Sequence, residues 1–181
     1  MVHRRFLAGL LVLVALVTAC GEAKDDGRGD KEPEAWAGAV CAALTPWRTR
    51  ITDLTSQAQQ QMNAARTAEQ AKTGLVGLLG GAESASEEAR GKIVAAGVPD
   101  ASNGRQVATE FADALRRTRD AYANAKGSVT ALPTADAKGF YAEVQKAFGQ
   151  LDKEYKAAAV DPTKVDSAEL KKAFDAVPAC R

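Results

Sequence analysis

The sequence predicts an all-α protein, and three observations carry that expectation. Between Trp36 and Val177 the apolar residues recur at steps of three and four; no segment alternates β-branched or aromatic residues with polar ones; and 38 of the 181 residues are alanine, the strongest helix former. Four periodic stretches of roughly 20 to 30 residues, joined mostly by short turn signals, imply an up-down-up-down four-helix bundle. A short fifth helix follows, and a disulfide is expected to clasp it to the bundle.

The chain opens with a basic segment containing Arg4 and Arg5, a 12-residue apolar run from Phe6 to Val17, and the small pair Thr18-Ala19 before Cys20. That run is too short for a permanent membrane span, which needs about 20 apolar residues, and it has the layout of an export signal. Val17-Thr18-Ala19-Cys20 resembles the bacterial lipoprotein signal, in which a branched aliphatic residue and two small ones precede the cysteine that receives lipid. The resemblance implies a signal peptide over residues 1–19, cleavage before Cys20, and a diacylglyceryl thioether on Cys20. The mature protein would then be lipid-anchored at the extracytoplasmic face of the cell membrane, held by two acyl chains at about 0.8 kcal/mol per buried methylene. An ordinary secretory signal, or less readily a twin-arginine one, is the alternative.

Residues 21–34 read GEAKDDGRGDKEPE, with one small apolar residue and nothing larger to bury. Residues 20–34 are therefore expected to form a solvated tether, and 35–181 the folded domain. Arg28-Gly29-Asp30 spells an integrin-binding tripeptide, but a three-residue match in a charged linker is expected by chance.

Trp36, Val40, Leu44, Trp47, Ile51, Leu54, Ala58, Met62 and Ala65 form the apolar seam of the first helix. Pro46 either kinks this helix or starts a new one, with Thr45 as its cap. Thr67-Ala68-Glu69-Gln70 has the capping-box pattern, which starts the second helix near Ala68. Leu75, Leu78, Leu79, Ala82, Ala85, Ala89, Ile93 and Ala96 are its expected inward positions. Gly80-Gly81 is a candidate break, because each glycine costs about 1 kcal/mol against alanine inside a helix. Gly97-Val98-Pro99-Asp100 and Asn103-Gly104 make a turn-rich loop.

The third helix is expected from Gln106 to Gly127 with Val107, Phe111, Leu115, Thr118 and Tyr122 inward, and Val129 to Pro133 as a turn. Arg116, Arg117 and Arg119 stand near Glu110, Asp113 and Asp120 at helical spacing, which describes a solvated, paired face. The fourth helix runs from Ala135 to Ala159 with Phe140 or Tyr141, Val144, Phe148, Leu151 and Tyr155 inward. A last helix from Ser167 to Ala176 offers Leu170, Phe174 and Val177.

With Cys20 lipidated, Cys41 and Cys180 remain as an even pair in an exported chain, and a disulfide between them is expected; two free buried thiols are the alternative. Closing a loop of about 140 residues is worth roughly 5 kcal/mol in the chain-entropy model. Trp36, Val40, Cys41, Leu44, Trp47 and Ile51, the loop from Ala95 to Gly104 and the cysteine near the C-terminus together resemble small secreted proteins and lipoproteins of actinobacteria. That resemblance implies a helical envelope protein and carries no catalytic residues with it.

Removal of residues 1–19 leaves 22 basic against 23 acidic residues and takes away His3, the only histidine. The charge balance gives no basis for nucleic-acid binding or a polybasic membrane patch. Without histidine there is no Ser-His-Asp set, no His-Cys zinc site and no Glu-x-x-His di-iron motif, and no serine opens a Ser-x-x-Lys motif. Glu83, Glu87 and Glu88 sit at helix-surface spacing. Asp100-Ala101-Ser102-Asn103 opens like a calcium loop, but Arg105 and Phe111 stand at its sixth and twelfth positions. The expectation is a non-enzymatic binding or scaffold module with no cofactor and no metal, meeting another envelope protein through an outer helix face. The alternative is a carrier of a lipid or other apolar ligand, with Leu75, Leu78 and Leu79 beside Gly80-Gly81 walling a cavity against Phe148 or Tyr141.

Overall fold

In the computed structural model, which describes residues 27–159 and 165–180, the chain is all-helical. The helices are α1 (Pro33–Ala64), α2 (Ala68–Ala95), α3 (Gly104–Ala131), α4 (Ala137–Ala158) and α5 (Ala168–Ala176), followed by a single 3-10 turn, Pro178–Cys180. Among the described residues the only β pairing is an isolated bridge between Lys31 and Pro99. No helix among them is long and apolar enough to cross a membrane. The signal segment and Cys20 lie outside the described residues.

Local sequence explains the helix ends. Thr67 accepts the amide of Gln70 at 3.2 Å, and the Gln70 side chain accepts the amide of Arg66 at 2.8 Å, so the capping pattern satisfies donors on both sides of the start. Ser167 and Asp136 cap α5 and α4 in the same manner. Asn103 precedes α3 with a left-handed backbone, φ 59°.

Of the two alternatives at Pro46 the structure has the continuous helix: α1 runs through it, with the proline ring at the surface where the missing amide leaves only one carbonyl unpaired. The break expected at Gly80-Gly81 is corrected, since α2 runs through both glycines. A methyl group at Gly81 would lie 2.7 Å from Leu54 Cδ2, so the glycine lets α1 and α2 approach closely at this point.

The helices pack in chain order, α1 on α2, α2 on α3 and α3 on α4, with α5 against α1; α4 also touches α2 but makes no close backbone approach to α1. The core has two centres. One gathers Trp36, Val40, Ile93, Val107, Phe111, Leu170 and Phe174; the other gathers Leu54, Leu75, Leu79, Tyr122, Val129, Phe140 and Leu151. In the first, Trp36, Phe111 and Phe174 meet pairwise at centroid distances of 5.8, 5.9 and 5.7 Å. Each such pair contributes about 0.5–1.5 kcal/mol beyond its buried area.

All five expected inward residues of α3 are buried. Val129, expected in a turn, is instead fully buried in the helix, because α3 continues to Ala131. Phe140 rather than Tyr141 faces inward, and Tyr155 remains 37% exposed with its ring against Tyr122. The Cys41–Cys180 disulfide is formed, with Cα atoms 5.1 Å apart across a sequence separation of 139.

The segment before α1 departs from a solvated tether. Gly29 and Lys31 donate their amides to the Pro99 and Val98 carbonyls at 2.9 and 3.1 Å, and Lys31 accepts the amide of Asp100 at 2.6 Å. Residues 27–32 thus form a strap on the α2–α3 loop, and residues 33 and 34 are already the first turn of α1. Backbone pairing, which needs no apolar side chain, holds a segment whose composition offers nothing to bury. A Cβ at Gly29 would fall 2.1 Å from the Val98 carbonyl oxygen, so only glycine fits there.

Candidate functional site

A groove of about 480 Å³ opens where α1, α3 and α5 meet. Its α1 wall is Cys41, Leu44, Thr45 and Arg48, residues that helical spacing puts on one face. From α3 comes Phe111; from α5 come Lys171, Phe174 and Asp175; Ala179 and Cys180 close one end, so the disulfide forms part of the lining. A recess of about 170 Å³ continues the groove past Leu44, Arg48 and Phe111 toward Trp47, Leu115 and the end of α4 at Ala158. It lies between α1 and α4, the two helices that do not close on one another.

The electrostatics of this groove are set by two exposed cations. Arg48 and Lys171 make no ion pair among the described residues, whereas Asp175, on the same lining, is itself engaged. Several cations elsewhere on the helices are matched, Arg116 with Asp113, Lys92 with Glu88 and Lys156 with Asp152, whereas Arg50, Arg117, Lys138, Lys153 and Lys172 also form no ion pair among the described residues.

The acidic residues singled out in the sequence are structural. Glu87 binds Arg90 on its own helix at 2.6 Å and Arg119 across on α3 at 2.7 Å, and Arg119 also holds Asp120. The Arg90 hydrogen bond, with that of Arg119, pulls the Glu87 acid down to about 2. Glu83 is matched by Lys126 of α3. The four-residue run at Asp100 holds the strap instead of a cation: Arg28 reaches Asp100, the Ser102 hydroxyl and Glu169, while Glu169 also accepts the Ser102 amide at 2.7 Å. That backbone hydrogen bond, followed by the one from Arg28, lowers the Glu169 acid. Arg28 and Gly29 of the Arg-Gly-Asp tripeptide are therefore committed to the fold. Among the described residues no cluster of three or more histidine, cysteine or acidic side chains could hold a metal.

The cavity wall expected at Leu75, Leu78 and Leu79 is corrected. These leucines pack in the second core centre with Phe140 and Phe148, and Gly77 faces open space. Gly80 and Gly81 instead border a polar groove of about 560 Å³ on the outer side of the α1–α2 contact, with Arg50, Ser84, Glu88 and Lys92.

Sequence inspection missed Arg48 and Lys171. Arg48 carried a usable signal, since it has no acidic residue three or four positions away. Lys171 did not, because Asp175 stands four residues on and suggests an ordinary helix pair.

Fold and groove together define an all-helical, disulfide-closed domain with an apolar concavity rimmed by cations. Compared with known protein families, curated proteins and solved structures, the chain matches none of them.

Proposed function

We propose that this protein is a lipid-anchored, non-enzymatic binding module on the extracytoplasmic face of a cell membrane. The anchor is Cys20, on the resemblance of Val17-Thr18-Ala19-Cys20 to the lipoprotein signal, and the domain resembles small actinobacterial envelope proteins. Within this proposal α1 to α4 form an up-down-up-down four-helix bundle, with α5 clasped to it by the disulfide, a reading supported by the short connections and by packing in chain order.

The binding element is the groove between α1, α3 and α5. Its lining of Leu44, Phe111 and Phe174, at about 480 Å³, falls in the range of small-molecule sites and is the observation that carries the proposal. It favours a carrier of an apolar ligand over a docking platform for an envelope protein. Among the described residues the exposed large hydrophobics are Val94, Tyr141 and Tyr155, on separate parts of α2 and α4, and Tyr155 borders the recess itself.

Fractionation of cells expressing wild type and Cys20→Ala tests the anchor: the variant should leave the membrane fraction or accumulate unprocessed. A mature N-terminus at any residue other than Cys20 overturns it. Native mass spectrometry of protein taken from its own envelope tests the carrier, which should arrive with an apolar molecule bound.

A further inference from the structure

We propose that the α1–α3–α5 groove takes a single-chain anionic amphiphile, its tail against Leu44, Phe111 and Phe174 and its anionic head between Arg48 and Lys171. The inference deepens the carrier reading and rests on it. Two features of the groove select this class of ligand. The apolar floor continues into the recess beside Trp47, which gives a chain somewhere to run rather than a compact pocket to fill. The rim then supplies two positive charges that form no ion pair among the described residues, while Asp175, the acidic side chain on that lining, is already engaged. A neutral apolar ligand would leave both cations unused, whereas a headgroup carrying a phosphate or carboxylate would meet them with charge-assisted hydrogen bonds.

The strap places the groove near a source of such molecules. Arg28 is bonded to Glu169, two residues before Lys171 on α5, so the tethered end of the domain and the cationic rim share a helix. Only residues 20–26 separate the proposed lipid anchor from the strap, and seven residues extend at most about 25 Å.

The test uses the full chain in phosphatidylcholine vesicles, with tryptophan emission as the readout. Vesicles carry either lysophosphatidylglycerol with a dibrominated stearoyl chain or lysophosphatidylcholine with the same chain. Bromine quenches a nearby indole, and Trp47 lines the recess. The anionic probe should quench saturably and bind at least about tenfold more tightly than the zwitterionic one, a difference of about 1.4 kcal/mol. Arg48→Ala combined with Lys171→Ala should remove that preference with an unchanged melting temperature, since both residues are exposed. Equal quenching by the two probes overturns the anionic class and leaves a carrier. Absence of saturable quenching by either overturns the carrier reading with it. Anionic preference that survives the double variant removes Arg48 and Lys171 from the site and overturns the proposal as stated.

Discussion

The indole N–H of Trp47 on α1 donates to the hydroxyl of Ser86 on α2 at 3.1 Å, and that hydroxyl donates onward to the Ala82 carbonyl at 2.8 Å. Ser86 is fully buried, a polar residue placed in an alanine-rich seam where its hydroxyl is completely used. Ser86→Ala keeps the volume of the seam but removes the acceptor. The expected loss is about 1–3 kcal/mol of unfolding free energy, the cost of an unpaired donor in a partly buried site. Urea titration followed by tryptophan emission measures it, and a midpoint equal to that of wild type refutes the role assigned to this bond.

The Gly81–Leu54 approach predicts opposite outcomes at two glycines of one helix. At Gly81 even an alanine methyl meets Leu54, so Gly81→Leu should destabilise by at least about 1–3 kcal/mol through overpacking. At Gly77 nothing lies within 4 Å, and Gly77→Ala should stabilise by about 0.5–1 kcal/mol through helix propensity. Thermal melts of the two variants decide it; a destabilised Gly77→Ala would mean that α2 is oriented differently.

Acid should weaken the α2–α3 contact in a defined window. The Glu87 acid is held at about 2 against an ordinary 4.5 by hydrogen bonds from Arg90 and Arg119. A carboxyl depressed on folding contributes stability that is fully present above its unfolded value and is lost as pH falls through the folded one. Stability should therefore fall between about pH 4.5 and pH 2, and Glu87→Gln should flatten that part of the profile. Because the group is exposed, the effect at neutral pH is expected to be small. Denaturant midpoints across the window, identical in slope for both proteins, would contradict the pairing.

Reduction of Cys41–Cys180 should lower the melting temperature and loosen α5 before the other helices. The chain-entropy model gives about 5 kcal/mol for a loop of 139 residues, and engineered cases often yield less. Hydrogen exchange in reducing buffer should rise first over Leu170 to Phe174, which packs on α1 beside the bond. Protection of that segment at the level of the oxidised protein would show that packing alone holds it.

Much of the helical layout was legible because its signals are local. Thr67 with Gln70 and Ser167 before α5 marked starts, and the five inward residues of α3 follow directly from spacing. Ser86 escaped because a small polar residue in an alanine seam is recognised only by its partner, Trp47, 39 positions away. Periodicity places Tyr155 inward, yet α4 lacks the contact with α1 that would cover it. The groove could not be read at all: Leu44, Phe111 and Phe174 look like ordinary core positions on three separate helices, and only their packing leaves space between them. The strap hid behind a linker-like composition, since its bonds are made by backbone amides and carbonyls.

That strap and the disulfide also determine how the protein bears tension. Gly27 enters and Cys180 leaves at the same end of the molecule, and Cys41–Cys180 short-circuits everything between. Between Gly27 and the disulfide, a molecule pulled by its two ends in an optical trap can pay out only the strap and the first turns of α1, fifteen residues from Gly27 to Cys41, or about 50 Å at full stretch. The bonds of Gly29 and Lys31 to the α2–α3 loop take the load first, and once they part the covalent path runs through Cys41–Cys180 and bypasses α2, α3 and α4. A domain moored in this way can be tugged at its leash while those three helices stay packed.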